Sequence, residues 1–358
     1  MKKFYSIEVL RLLTSISVLL YHYRLFFAPY NSFSFYNFDE KKVELPFYSF
    51  LNIFYNDGIY GVHVFYAISG FVFALVYLSS EQTVSGKKFF INRFGRLYPL
   101  HFATLILVTF LLLLNLLLNE TYNINPFTHN DPYHFFLHLL FISSWGFENG
   151  HSFNTPIWSV SVEIAIYILF FFLLNFLKNY KIWLTIFLCV FLLVINKTNI
   201  NDSLFLECAR LFFSGVLVFQ LISLFKNHYI LMITSIILIV ISIIGNFKTY
   251  LFCPSILLFV TSFEAYISNT KIKNLFTFCG NLTYALYLLH YPIILSFVIL
   301  QKKIDFPQII FEKTYFFFIF IILLIYLAHF CFKFYENPLN KKIRNYLEKK
   351  LKFKQDLK

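Results

Sequence analysis

Runs of about 20 apolar residues recur from one end of this chain to the other, and each is long enough to cross a bilayer as a helix. A backbone in hydrocarbon must satisfy its own hydrogen bonds, so such runs restrict the fold to a helical bundle. The expected spans lie near 6–27, 59–79, 97–118, 156–177, 182–197, 203–224, 229–247, 250–268, 276–300 and 310–334. The fold class expected is therefore all-α, a polytopic membrane bundle of about ten transmembrane helices. Composition agrees: 59% of the 358 residues are hydrophobic and only 13% charged, against about a quarter charged in soluble domains.

The net charge of +12 follows position. Lys87, Lys88, Arg93, Arg96, Lys178, Lys181, Lys226, Lys271 and Lys273 fall in alternate connections. Asp39, Glu40, Glu44, Asp57, Glu120, Asp131 and Glu148 fall in the others. Under the positive-inside rule both termini are cytoplasmic, and the basic excess implies no nucleic-acid partner. Met1-Lys2-Lys3 leads into an apolar run that ends in Tyr21-His22-Tyr23-Arg24 with no small-residue cleavage site, so the first span is expected to be uncleaved. Residues 1–338 form the expected transmembrane domain and 339–358 a basic tail. In that tail Leu339, Ile343, Tyr346, Leu347 and Leu351 recur at helical spacing among lysines and Arg344, the pattern of an interfacial helix on an anionic leaflet. A solvated charged tail is the competing reading. Cys189, Cys208, Cys253, Cys279 and Cys331 are scattered without metal-ligand spacing or a disulfide framework. No metal site, Walker loop or dinucleotide fingerprint is present.

Polar residues inside the apolar runs mark candidate chemistry, because they are costly there. Arg11 and His22 stand eleven positions apart, about three turns plus roughly 20°, so they share one helix face some ~16 Å apart along the axis. The run Gly58–Phe71 holds His63, which could face a cavity, and Gly61 and Gly70, read as helix-packing positions. Arg93 and Arg96 are spaced i, i+3 at the inner mouth of the third span, where two guanidinium forks suit phosphate. The competing role is topological, simply holding that loop inside. In Thr155-Pro156-Ile157-Trp158-Ser159-Val160-Ser161-Val162-Glu163, Thr155 and Pro156 are a helix start, and Ser159 and Glu163 share a face. A buried carboxylate such as Glu163 needs a partner or a proton, and a bond to another helix would serve. Thr283, Tyr287 and His290 form a polar stripe that lines a cavity or packs against another polar face. Arg210, Glu264 and Glu336 are further isolated ionisable groups.

These blocks, in this order, resemble the acyltransferase 3 family of integral membrane O-acyltransferases, over nearly the whole chain. The most specific elements are the Arg11–His22 spacing, Phe65-Tyr66-Ala67-Ile68-Ser69-Gly70-Phe71, the Trp158-to-Glu163 block and Tyr287-Leu288-Leu289-His290. Asn92 stands where many relatives carry a second Arg, and His63 where an acid is frequent. The resemblance implies transfer of an acyl group, usually acetyl, from cytoplasmic acyl-CoA to a hydroxyl of a lipopolysaccharide, capsule, exopolysaccharide or peptidoglycan precursor. Acetyl-CoA would be a co-substrate, with no permanently bound cofactor. Some relatives add an extracytoplasmic esterase-like domain. This chain would act alone or with separate glycan-assembly enzymes.

In the combined reading Arg11, Arg93 and Arg96 bind the CoA moiety. His22 is the general base, a role suited to neutral imidazole. Glu163 orients His22 or assists proton transfer. Trp158, Ser159, Ser161, Tyr287 and His290 contact the acceptor. The expected location is a bacterial cytoplasmic membrane. A proton-coupled glycan transporter or flippase is the competing class, since intramembrane His, Glu and Arg also build transporters. An inactive scaffold in a glycan-assembly complex is a third reading.

Overall fold

The computed structural model describes residues 3–27, 44–79, 85–119, 121, 129–197, 203–245 and 248–356. Asp39, Glu40 and Glu120, counted above among the loop acids, lie outside the described residues. Among the described residues the α-helices, in order, are α1 (Tyr5–Tyr23), α2 (Tyr48–Asp57), α3 (Ile59–Tyr77), α4 (Gly86–Asn119), α5 (Pro132–Leu139), α6 (Ile157–Lys197), α7 (Leu204–Leu224), α8 (His228–Ile244), α9 (Cys253–Phe263), α10 (Thr270–Ile304), α11 (Thr314–Cys331) and α12 (Asn337–Asp356). There is no strand among the described residues.

Among the described residues six helical stretches are long and apolar enough to cross a membrane: α3, α4, α6, α7, α10 and the continuous run Thr314–Leu347. The exact count of ten spans is not confirmed. The expected fourth and fifth spans are the two halves of α6, separated at Lys181, whose backbone is not helical (φ 49°, ψ −128°). The expected first span is α1, a 19-residue helix that carries Glu8 and Arg11 and is not among the six. The expected seventh and eighth spans are the shorter apolar helices His228–Ile244 and Tyr250–Tyr266.

The chain divides into two compact units. The first comprises residues 1–18, 58–83 and 162–281, the second residues 19–57, 84–161 and 282–358. In the first unit α3 and α7 meet backbone to backbone. A Cβ on Gly70 would overlap the Phe212 carbonyl, and one on Gly215 would overlap the Ala67 carbonyl. A Cβ on Gly61 would come within 2.8 Å of the Thr14 carbonyl, so α1 approaches α3 in the same way. Small residues permit this closeness between apolar helices. Gly61 and Gly70 therefore pack as read; Gly215 belongs with them. Around this contact Phe73 stacks on Tyr167 at 4.2 Å and meets Phe170 and Phe212 edge-on. Glu264 is not isolated: its Oε2 accepts from the Ser6 amide at 2.8 Å, satisfying one open donor of the first turn of α1.

In the second unit an aromatic cluster gathers the end of α1 with the start of α11. Tyr23 is fully buried and donates its hydroxyl to the Phe311 carbonyl at 2.8 Å. Phe26 stacks on Phe311 at 4.5 Å, and Phe317 and Phe320 stand edge-on to Tyr23. The five cysteines are free thiols.

Because the α3–α7 approach leaves no room for a side chain, Gly215→Leu should destabilise the first unit by about 1–3 kcal/mol through overpacking. The check is thermal unfolding of the detergent-purified protein. A melting temperature equal to wild type would show that the two backbones do not touch there.

Candidate active site

Pro292 sits inside α10. It has no amide hydrogen, so the Leu288 carbonyl one turn earlier loses its helical partner. Asn154 supplies one: its Nδ2 donates to Leu288 O at 3.1 Å. This bond ties the entry of α6 to the middle of α10, within the second unit. Beside it the Tyr287 hydroxyl lies 2.9 Å from the Pro156 carbonyl. Its oxygen also lies 2.6 Å from the Ser159 hydroxyl. The Ser159 hydroxyl also lies 3.3 Å from the Pro156 carbonyl, so each hydroxyl can donate its one hydrogen either to that carbonyl or to the other hydroxyl.

The next turn of α10 carries His290, 1% exposed. Its Nδ1 lies 3.3 Å from the Leu286 carbonyl, which can only accept, so Nδ1 carries the proton and Nε2 presents a lone pair. That Nε2 has no hydrogen-bond partner among the described residues. The His290 ring stands 5.9 Å from the Tyr287 ring and 4.9 Å from the ring of His22. Buried Tyr23, next to His22, holds that end of α1 in place.

The second unit thus brings together His22, His290, Tyr287 and Ser159. Trp158, half-buried, belongs to the same first turn of α6. Ser161 is committed elsewhere. Its hydroxyl donates to the Phe141 carbonyl at 2.9 Å and accepts from the Ser144 amide at 3.2 Å, while its own carbonyl accepts from Trp145 Nε1. These bonds hold a loop in which Phe141 and Phe153 take the left-handed backbone conformation, at φ 61° and 44°. That conformation is costly for a non-glycine residue and persists only where surrounding contacts over-determine it. Asn130 adds another lock by accepting from the Phe153 amide at 2.6 Å.

Arg93 and Arg96, half-buried on α4, also belong to the second unit. Arg11 and Glu163 belong to the first. Arg11 pairs with Glu8 at 3.1 Å, an i, i+3 bond readable from the sequence but not read there. Glu163 is 9% exposed. His63 is 5% exposed, and its Nε2 lies 3.2 Å from Glu207 on α7. Arg210 lies 3.9 Å from the same carboxylate, with its guanidinium 4.3 Å from the Tyr250 ring centre. Asn154 was missed because no spacing signals it; its role exists only once Pro292 has opened the Leu288 carbonyl. Among the described residues no group of three or more His, Cys, Asp or Glu is placed to hold a metal.

Outside the spans, α5 carries a second histidine cluster. Asp131 caps α5, accepting from the His134 amide at 2.9 Å and pairing with its ring at 2.8 Å. Burial pushes that carboxyl up, but the bonds from His134 outweigh it and hold it below the ordinary value. His138 is buried with its Nε2 3.1 Å from the Ser152 hydroxyl, and its backbone carbonyl accepts from His101 at 2.8 Å. Burial first, and neighbouring His101 second, push the His138 imidazole down to about 3.

Unfolded, His138 would take up a proton near an ordinary value of about 6.5. Between about 6.5 and about 3 the opened loop therefore binds more protons than the closed one, and stability rises with pH across that window. Hydrogen exchange of residues 129–155, corrected for intrinsic rates, should show protection fading as pH falls below ~6.5. His138→Gln should flatten that dependence. An equally steep dependence in the variant would remove His138 as its source.

Family comparison places this geometry in context. A family model described as an acyltransferase domain, Acyl_transf_3, matches residues 4–332. No curated protein and no solved structure matches the chain. The match takes in every site residue described above and nearly the whole helical body. The chain belongs to the acyltransferase 3 family and is a multi-pass membrane acyltransferase.

Proposed function

We propose that the protein is an acyl-CoA-dependent O-acyltransferase, most simply an O-acetyltransferase, whose acceptor is a hydroxyl of a cell-surface polysaccharide or lipid-linked glycan. The observation that carries this reading is the His22–His290 pair beside the Ser159–Tyr287 hydroxyl chain. Acyl transfer to an alcohol needs a base for the alcohol proton and an acid for the leaving thiolate. A neutral imidazole supplies both in turn near neutral pH.

In the proposed reaction His22 removes the proton from the acceptor hydroxyl as its oxygen attacks the thioester carbonyl. The carbon–sulfur bond then breaks, and the imidazolium returns the proton to the CoA thiolate. The balance is one ester and one thiol from one alcohol and one thioester. His290 stands beside His22 with its Nδ1 on the Leu286 carbonyl, and in this reading its Nε2 accepts a hydrogen bond from the acceptor hydroxyl. Ser159 and Tyr287 contribute polar contacts to the acceptor, and Trp158 a surface on which a sugar ring stacks. Direct transfer requires no acyl-enzyme intermediate.

Arg93 and Arg96 would bind the anionic CoA moiety at the mouth of α4. Arg11 and Glu163 enter on sequence grounds alone, as a cation for CoA and a carboxylate that assists the proton. The proposed setting is a bacterial cytoplasmic membrane with both termini inside, following the placement of basic residues.

The test compares surface glycans from cells carrying the intact gene, no gene, or His22→Ala, by mass spectrometry before and after mild alkali. An alkali-labile acetyl group is expected only with the intact gene. Loss of the base should lower transfer by about 10²–10⁴-fold. Identical acylation in all three, with the variant present in the membrane, would overturn the reading. Altered glycan export with unaltered acylation would favour transport instead.

A further inference from the structure

The family match ends at residue 332, yet α12 begins at Asn337 and packs onto the stretch of α4 that bears Arg93 and Arg96. The contact centres on Gly95. A Cβ there would meet Arg344 Cγ at 3.2 Å, Asn340 Oδ1 at 3.4 Å and Ile343 Cγ2 at 3.5 Å. Gly95 is thus kept small where the tail helix lands, in the middle of Arg93-Phe94-Gly95-Arg96. A second tie lies just before α12: the Tyr335 hydroxyl donates to the Pro99 carbonyl at 3.1 Å. A third comes from α10, where Tyr284 donates to Leu97 O at 2.7 Å. All of these residues belong to the second unit.

Charge makes this landing unusual. Residues 85–99 carry Lys87, Lys88, Arg93 and Arg96 and no acid; residues 337–347 carry Lys341, Lys342 and Arg344 and no acid. Buried Glu336 precedes this segment and Glu348 follows it. The short turn that carries Glu336 also packs on α4, and beyond that one carboxylate the two segments present only cations, so an anion that bridges them would favour their packing. Arg344 lays its aliphatic stem against Gly95 and remains exposed at its charged end. That is the arrangement of a side chain anchored by packing and offered to a ligand in water.

We infer that α12 completes the phosphate-binding site at the mouth of α4, with Arg344 as a third guanidinium beside Arg93 and Arg96, and that the anion it receives is the 3′-phosphate or diphosphate of coenzyme A. This rests on the acyl-CoA reading above and extends it to a segment outside the family match. The tail is then part of the donor site rather than a solvated extension. Anionic lipid headgroups present the same phosphate chemistry, and the experiment separates the two sources.

The experiment is titration calorimetry of the full chain in neutral detergent with coenzyme A and with 3′-dephospho-coenzyme A. The variants are Arg344→Glu, Arg344→Lys and, as a control of equal charge change farther along the same helix, Lys349→Glu. Arg344→Glu should weaken coenzyme A binding about tenfold, while Arg344→Lys and Lys349→Glu should each cost about twofold or less. A smaller loss with the dephospho form would assign the contact to the 3′-phosphate, and an equal loss to the diphosphate. Wild-type affinity in Arg344→Glu, or an equal loss in Lys349→Glu, would overturn the inference and leave the acyl-CoA reading standing. Absence of coenzyme A binding by the wild type would overturn both. Sedimentation with phosphatidylglycerol vesicles is the second arm. If Arg344→Glu weakens only that association, the helix serves the lipid surface and the inference falls.

Discussion

Every polar group carried into an apolar helical body must find its partner inside the protein, because lipid offers none. The candidate site follows from one such debt. Pro292 deletes an amide from α10, and the exposed Leu288 carbonyl draws Asn154 to it at 3.1 Å. That bond sets the height of the α6 entry against α10. Once it is set, Tyr287 meets both Pro156 O and the Ser159 hydroxyl, and His290 falls one turn farther on, against His22. A proline that weakens its own helix thus organises the polar contacts of its neighbours.

The same constraint shapes the first unit differently. There the helices approach through glycine, and the charges are settled locally. Arg11 takes Glu8, Glu207 lies between His63 and Arg210, and Glu264 caps α1 through the Ser6 amide. Polar groups in this unit mostly brace helices against one another. In the second unit His290 Nε2 is buried with no hydrogen-bond partner among the described residues. What sets this open acceptor nitrogen apart is its place beside the His22 ring, which is why the acceptor hydroxyl is proposed to sit there.

The helices themselves were legible from apolar run length, and so were Gly61 and Gly70 as packing positions. The exact number of spans was not: run length separates the two halves of α6 at Lys181 but does not show that α1, with Glu8 and Arg11, is less apolar than the six long stretches. The partner of His63 could not be read from sequence, because its helix face is local and its partner is not. Glu207 lies 144 positions away on another helix. Ser161 looked equivalent to Ser159, but a half-turn of helix sends its hydroxyl to the Phe141 and Ser144 backbone instead.

By itself the sequence determined that this chain is a helical membrane protein, which of its residues are too costly to sit in lipid without purpose, and which family those residues mark. These are properties of local composition and spacing along one helix, where geometry is set by the 3.6-residue repeat. Only the tertiary structure decided which polar groups meet. It joined His22 to His290, Ser159 to Tyr287, and the tail helix to Gly95. The reason is physical: apolar helix faces are nearly interchangeable as partners, so the choice among them is made by close packing and by single unsatisfied backbone groups, neither of which leaves a periodic trace in sequence.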